Sequence, residues 1–409
     1  MSQPWILSAL VAALWCAPCF AQESALEPPD LGRYLRWGPL RARPGFAISN
    51  VGYDDNIFAS NASEVGDYTA TLSPKLDGLV LFGDRAFLTF AEKLEHTLYL
   101  DHSDQNFTNQ RGAARVTFPL HRTGFYVDGL YNRLKERPVD QQDIRADRDE
   151  DGLGVGLILV PGWRTEIEIG RSYKTWSYFD EDADPDALVT IGDRLDRSED
   201  RNTLEVRYRI LGRTRLTMDA HVGTIEFDSA ISSGRDSQEW GVIPGLDFGE
   251  GGPLSGSVRV GWTEIDADHP TQTDFDDVVG RAELAYRPRS RIRLRLDALR
   301  EPGFTVATDS IFYLDTRVRM RAVYYLTRIV GIESGGSRGK LEFPGASGAF
   351  EREDDIDTYE VGVRFRLAEN SLGRRVEYSL RLQRYRRDST DDLQDRSRTV
   401  FGLNAVVGF

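Results

Sequence analysis

Between residues 291 and 298 the chain alternates without a break. Ile292, Leu294, Leu296 and Ala298 fall on one face, and Arg291, Arg293, Arg295 and Asp297 on the other. A strand turns successive side chains to opposite faces, whereas a helix would mix the two sets. The same division recurs over 203–210, 215–222, 315–324, 358–367 and 375–383. About eighteen such segments follow residue 40: 41–54, 68–82, 85–100, 106–118, 122–134, 149–160, 163–176, 198–210, 213–227, 237–248, 253–264, 275–287, 290–302, 309–324, 327–342, 356–367, 374–387 and 396–409. They exceed the ~5–6 residues of an ordinary soluble strand and suit strands that cross a bilayer at a tilt.

The reading is an all-β protein, a single transmembrane antiparallel β-barrel over 41–409, with sixteen strands the runner-up size. An even count lets a barrel close with both ends on the periplasmic side. Short links at Gly83-Asp84, Pro161-Gly162, Leu211-Gly212, Pro288-Arg289 and Leu326-Thr327 alternate with longer acidic ones at 136–151, 179–200, 264–277, 351–357 and 388–395. Tight periplasmic turns and long extracellular loops are the asymmetry of an outer-membrane barrel. A β-sandwich or propeller is the structural alternative.

On the apolar face of the clearest segments there is no charge, as expected where a basic residue at mid-membrane costs ~2–4 kcal/mol. Trp163, Trp176, Trp262, Tyr286 and Phe312, near segment ends, suit interfacial girdles. The chain ends in the same pattern. Phe401, Leu403, Ala405, Val407 and Phe409 occupy alternate positions of a strand expected to pair with the first, and a final strand ending in Phe resembles the signal read by the barrel assembly machinery. An ordinary edge strand is the competing reading of those residues alone.

Residues 1–21 lack Lys, Arg, Asp and Glu, carry an apolar run and end Cys-Phe-Ala, as an export signal cleaved after Ala21 would. An uncleaved anchor or a lipoprotein site are weaker alternatives. Both cysteines lie there, so no disulfide, thiolate metal site or cysteine nucleophile is expected in the mature chain. Beyond Ala21 no run approaches the ~18 apolar residues of a membrane helix. The net charge of −14 argues against nucleic acid and leaves a membrane open. Residues 22–40 are too short for a large plug domain and suit a periplasmic linker or small plug. Outer-membrane lipid and lipopolysaccharide are the expected surroundings.

The other face carries the candidate function. Arg207, Arg209, Arg215, Arg291, Arg293, Arg295, Arg317, Arg319, Arg321, Arg364, Arg366, Arg375 and Arg381 outnumber Glu205, Asp219, Asp297, Asp315, Glu360 and Glu377. Such a lumen would concentrate anions and grip carboxylate or phosphate through paired donors. Arg–carboxylate ladders that merely satisfy a polar wall are the competing account. Two histidines have carboxylate neighbours, at Asp101-His102-Ser103-Asp104 and Asp266-Ala267-Asp268-His269, but such pairs arise readily in acidic loops and no catalysis is expected. Asp180, Asp182 and Asp184 begin like a calcium loop, yet Pro185 stands where Gly is needed and Ile191 where the closing Glu belongs. No cofactor or metal is expected.

The stretch VGYDDNIF, residues 51–58 with Tyr53, Asp54, Asp55 and Asn56 at its centre, resembles the first strand of outer-membrane β-barrel porins associated with bacterial exopolysaccharide synthesis and export. The resemblance implies a passage for a sugar polymer in a Gram-negative outer membrane, with polysaccharide synthesis and export proteins as partners. A general or anion-preferring diffusion porin is the alternative, and an outer-membrane enzyme or adhesin the second. A strand-closing turn held by Asp and Asn is the local alternative for the motif.

Overall fold

The computed structural model describes residues 24–60, 64–136, 146–179, 189–249, 252–270, 272–305, 311–344, 350–367, 375–391 and 394–408. The signal segment, Asp180, Asp182, Asp184 and Phe409 lie outside them. A short exposed strand, β1 (Leu35–Trp37), hairpins onto the first long one through Gly38, whose φ of 61° favours glycine. Eighteen long strands follow: β2 (Leu40–Asp54), β3 (Asp67–Leu81), β4 (Phe87–Tyr99), β5 (Phe107–Leu120), β6 (Thr123–Glu136), β7 (Ala146–Gly162), β8 (Thr165–Phe179), β9 (Arg197–Leu211), β10 (Thr214–Phe227), β11 (Ser237–Phe248), β12 (Leu254–Ala267), β13 (Phe275–Arg289), β14 (Ile292–Phe304), β15 (Phe312–Tyr325), β16 (Val330–Pro344), β17 (Phe350–Arg366), β18 (Arg375–Ser389) and β19 (Arg396–Gly408).

Each pairs antiparallel with the next, and β19 pairs back to β2. The barrel is closed and leaves no free sheet edge. Phe401 lies opposite Tyr53, Leu403 opposite Val51, Ala405 opposite Ile48 and Val407 opposite Phe46, so the final alternating run is the closing strand.

Alternation sorts the wall into two faces. Tyr208, Met218, Leu294, Met320, Tyr359, Val361, Leu382 and Phe401 are exposed on the outside, where lipid covers them. No described helix is long and apolar enough to cross a membrane; the strands do the crossing. Trp163, Trp262 and Tyr286 sit exposed, as a girdle requires. Trp176 and Phe312 do not: each is under a tenth exposed and joins an interior cluster.

Several strands outrun their expected ends. β17 begins at Phe350, so 351–357 is strand rather than loop, and β7 takes in 146–151. The link after β13 is 290–291 rather than Pro288-Arg289, because a register shift between Tyr286 and Arg289 lengthens the strand. Charged residues continue these strands beyond the apolar band, where alternation in hydropathy fades but backbone pairing does not.

Candidate functional site: the lumen

The inward arginines of β14–β18 are knit into one network. Arg364 reaches Glu333 at 2.6 Å and Glu377 at 3.2 Å, and Arg366 also reaches Glu377 at 3.2 Å. Arg381 lies 3.0 Å from Glu333 and 3.9 Å from Glu360, which also holds Arg321. Arg293 on β14 comes within 3.7 Å of Glu377 on β18. The Tyr325 ring lies under the guanidiniums of Arg366, at 4.2 Å, and Arg293, at 5.3 Å. Three carboxylates thus serve five guanidiniums.

The other expected lumen residues are placed as follows. Arg295 pairs with Asp297 at 2.9 Å, and Arg317 with Asp315 at 2.8 Å. Arg319, between Arg317 and Arg321 on the same face, makes no ion pair among the described residues. Arg209 and Arg215 face each other in register near the short-turn rim, and Arg375 opens β18. Arg291 lies in the turn 290–291, exposed at the rim rather than on the lumen wall.

The facing wall has the reverse stoichiometry. Arg115 on β5 meets Asp128 at 2.8 Å and Glu168 at 3.2 Å, with the Tyr126 ring 3.9 Å below it. Arg207 on β9 holds Glu166 at 2.6 Å, Glu168 at 3.5 Å and also Glu205, which is 3.7 Å from Arg259. Two guanidiniums here meet four carboxylates. In a ring of eighteen strands β5 stands opposite β14 and β9 opposite β18, so the two networks confront each other across the short-turn half of the lumen.

At that end residues 24–26 enter the mouth. The Ser24 hydroxyl and the Ala25 N–H both donate to Glu166 Oε2 at 2.8 Å. Leu26 is buried against Tyr126 and Ile158. Gly124 makes room, since a Cβ there would stand 2.4 Å from the Leu26 side chain.

The loop half is built differently. The short helix Ile191–Leu195, capped by Thr190 and Asp193, joins Trp176 and Tyr178 of β8 in one apolar cluster with Tyr313, Leu341, Phe343, Ile356 and Tyr385 on β15–β18. The β8–β9 loop therefore bridges the lumen to the far wall. Arg235, 2% exposed, ties this bridge to the next loops: it donates to the carbonyls of Arg194, of Thr305 at 2.6 Å and of Ile311 at 3.1 Å, and covers the Phe227 ring. Burial, with Arg197 and Arg194 nearby, pushes its guanidinium down to about 10. Burial likewise pushes the Asp196 carboxyl up to about 6, with Asp228 and Asp193 adding to the rise against the 2.7 Å bond from the Tyr178 N–H.

The 53–56 stretch lies at the outer end of the closure seam. Asp54 is 1% exposed and receives the Arg398 guanidinium of β19, with Nε at 2.8 Å. Asp55 accepts from the Thr399 N–H at 2.6 Å. The Asn56 amide, fully buried, donates to the carbonyls of Ser60 at 2.8 Å and Ser397 at 3.0 Å. Tyr53 points outward, edge-on to Tyr68. Tyr53 thus belongs to the lipid face, and its three neighbours clasp the first strand to the last.

His102 is oriented by Asp67 of β3, at 3.0 Å, rather than by its sequence neighbours. Asp67 also accepts backbone N–H groups from Tyr68, Asp101 and His102, so it serves to hold a loop. Among the described residues no cluster of His, Cys, Asp or Glu is arranged to hold a metal. Sequence reasoning missed Glu333, Glu166, Glu168, Arg115 and Arg235. The one signal for Glu333 is glycine: a Cβ on Gly335 would come 2.5 Å from a Glu360 oxygen, and one on Gly362 3.0 Å from a Glu333 oxygen, so lumen glycines mark where long side chains cross.

The family model described as "Putative beta-barrel porin 2" matches residues 35–409. No curated protein matches the chain. Among solved structures the chain is similar to Pseudomonas aeruginosa OpdK with vanillate, at 11% identity over 90% of this chain and 99% of that one, TM-score 0.48. It is also similar to Pseudomonas aeruginosa OccK2 (OpdF) in complex with glucuronate, at 12% identity, 90% and 96% coverage and TM-score 0.48. A BenF-like porin from Pseudomonas fluorescens Pf-5 is similar at 10% identity, 90% and 99% coverage and TM-score 0.47.

Proposed function

This chain belongs to the β-barrel porin family whose model spans residues 35–409, and from that premise we propose that it is an anion-preferring diffusion passage of the bacterial outer membrane. The observation that carries the proposal is the β15 face on which Arg319, without an ion pair among the described residues, stands between Arg317 and Arg321, beside a network with more guanidiniums than carboxylates. Charge of one sign lining a narrow aqueous path raises the local concentration of the opposite ion. Small carboxylated solutes fit the forked donors. Reversal potentials of the purified barrel in a planar bilayer under a salt gradient test it: anion preference is expected, and cation preference in the unaltered protein sinks the reading.

Passage of an exopolysaccharide is the second reading, favoured by the resemblance at 51–58. Under it, deleting the gene leaves polymer synthesis intact but removes surface polymer, with partners among the synthesis and export proteins. Unchanged surface polymer with slower entry of small solutes decides for diffusion. In either case we propose that residues 1–21 direct export and that the final strand through Phe409 is read by the barrel assembly machinery. Phe409→Asp is then expected to lower folded, heat-modifiable protein in membrane fractions.

A further inference from the structure

The outer face is apolar over most of its height, with one exception low on β4. Glu92, the sixth residue of that strand, points to lipid between Phe90 and Leu94. Its carboxylate accepts from the Gln110 amide at 2.9 Å and from the Tyr131 hydroxyl at 2.6 Å, and Gln110 also donates to Tyr131 at 3.0 Å. The triad lies over Gly112, where a Cβ would stand 2.3 Å from the Tyr131 ring and 2.7 Å from a Glu92 oxygen. All three donors and acceptors are neutral except the carboxylate, so a full negative charge faces the bilayer interior. Lipid cannot neutralise it, and such charges cost free energy that grows with depth.

A matching cation lies on the same face. Arg171 is the seventh residue of β8, counted from the same rim, so it stands at nearly the depth of Glu92. Its side chain is 65% exposed. Nε and Nη2 are turned to Asp200, with Nε at 3.0 Å, and Nη1 makes no hydrogen bond there. β4 and β8 are four positions apart in a ring of eighteen, just under a quarter turn.

We propose that this chain assembles in the membrane with further copies of itself, head to tail, the β4–β6 face of one copy receiving Arg171 of the next at Glu92. Faces so far apart around the wall close into a ring of three or four copies. A second copy is favoured over an unrelated partner because one chain supplies both the acid and the base, at matching depth.

The test is thiol cross-linking in vesicles with variants that leave the triad intact, Leu94→Cys and Tyr173→Cys, each two residues from the proposed contact on its own strand. Co-reconstituted single variants are expected to cross-link as Leu94→Cys with Tyr173→Cys pairs. The double variant is expected to give a ladder ending at three or four copies. In parallel, Glu92→Arg and Arg171→Glu are each expected to reduce the particle mass to one copy in detergent, and the two together to restore it, with heat-modifiable migration showing that every variant is folded. A single-copy mass for the unaltered protein overturns the proposal. So does cross-linking of Leu94→Cys to itself, or a Glu92→Arg protein that keeps its full mass.

Discussion

The two lumen walls that face each other use one chemistry in opposite proportions. On β5–β9, Arg207 is a hub with three carboxylates around it; on β14–β18, Glu377 is a hub with three guanidiniums around it. Ion pairing therefore does not simply cancel the wall charge. It sets up a field across the passage, with the base-rich side opposite the acid-rich side, in a region where charges are screened less than in bulk water. An anion is drawn to one wall and repelled by the other, which orients it as well as admitting it.

The sharpest way to break that comparison is to remove a hub. Arg207→Met leaves Glu166, Glu168 and Glu205 crowded without their shared cation and is expected to cost about 3–5 kcal/mol, as breaking a buried pair does. Arg381→Met, a spoke of the other network, is expected to cost about 1–2 kcal/mol, since Glu333 keeps Arg364 and Glu360 keeps Arg321. Thermal unfolding in detergent compares them, and equal shifts would mean that hub and spoke are not distinct. Next in size, Ile191→Ser with Leu195→Ser removes the apolar bridge of the loop half without touching either charged network. Single-channel conductance is expected to rise about twofold, with loss of about 2–4 kcal/mol of packing.

Selectivity should then move in opposite directions on one wall. Arg319→Gln is expected to lower the anion preference, and Glu360→Gln, which frees Arg321 and Arg381, to raise it, each by about twofold to fivefold at low salt and hardly at all at 1 M, where the Debye length is ~3 Å. Reversal potentials at two ionic strengths check both. The smallest effect is at Asp196. Its folded carboxyl titrates near 6 against an ordinary 3.8, so the folded loop binds the proton more readily. The attachment of 189–196 is strongest below about pH 4 and weakens as pH rises through about 6, with no further change above. Hydrogen exchange there is expected to quicken modestly between pH 4.5 and 7.5 and to lose that dependence in Asp196→Asn.

The strands were legible because lipid on one side and water on the other impose alternation residue by residue, as 292–298 and 401–407 display. Closure by β19 on β2 could be read from the terminal run for the same reason. Long-range pairing could not. Arg293 and Glu377 meet from strands four apart, and Arg207 takes Glu166 from 41 residues away, which depends on register and curvature rather than local pattern. Arg291 was misplaced because alternation runs on into a turn whose end only backbone pairing defines. Trp176 looked like a girdle residue by its place near a segment end; parity with Glu166 and Glu168 puts it inside.

The clasp at Asp54 and Arg398 joins residues 344 positions apart, so it can form only when the last strand has been delivered. Until then Asp54 and Asn56 have no partners on β19, and the nearly complete barrel is still an open sheet at its outer rim. The clasp thus makes completion of the chain a physical event with its own signature: loss of protease access to 53–56 should come after, and not during, strand-by-strand growth. A circular permutant joined at its natural ends and opened at the turn 212–213 turns the same contact into one between neighbouring strands of a continuous chain. In that protein Asp54→Asn should no longer delay maturation.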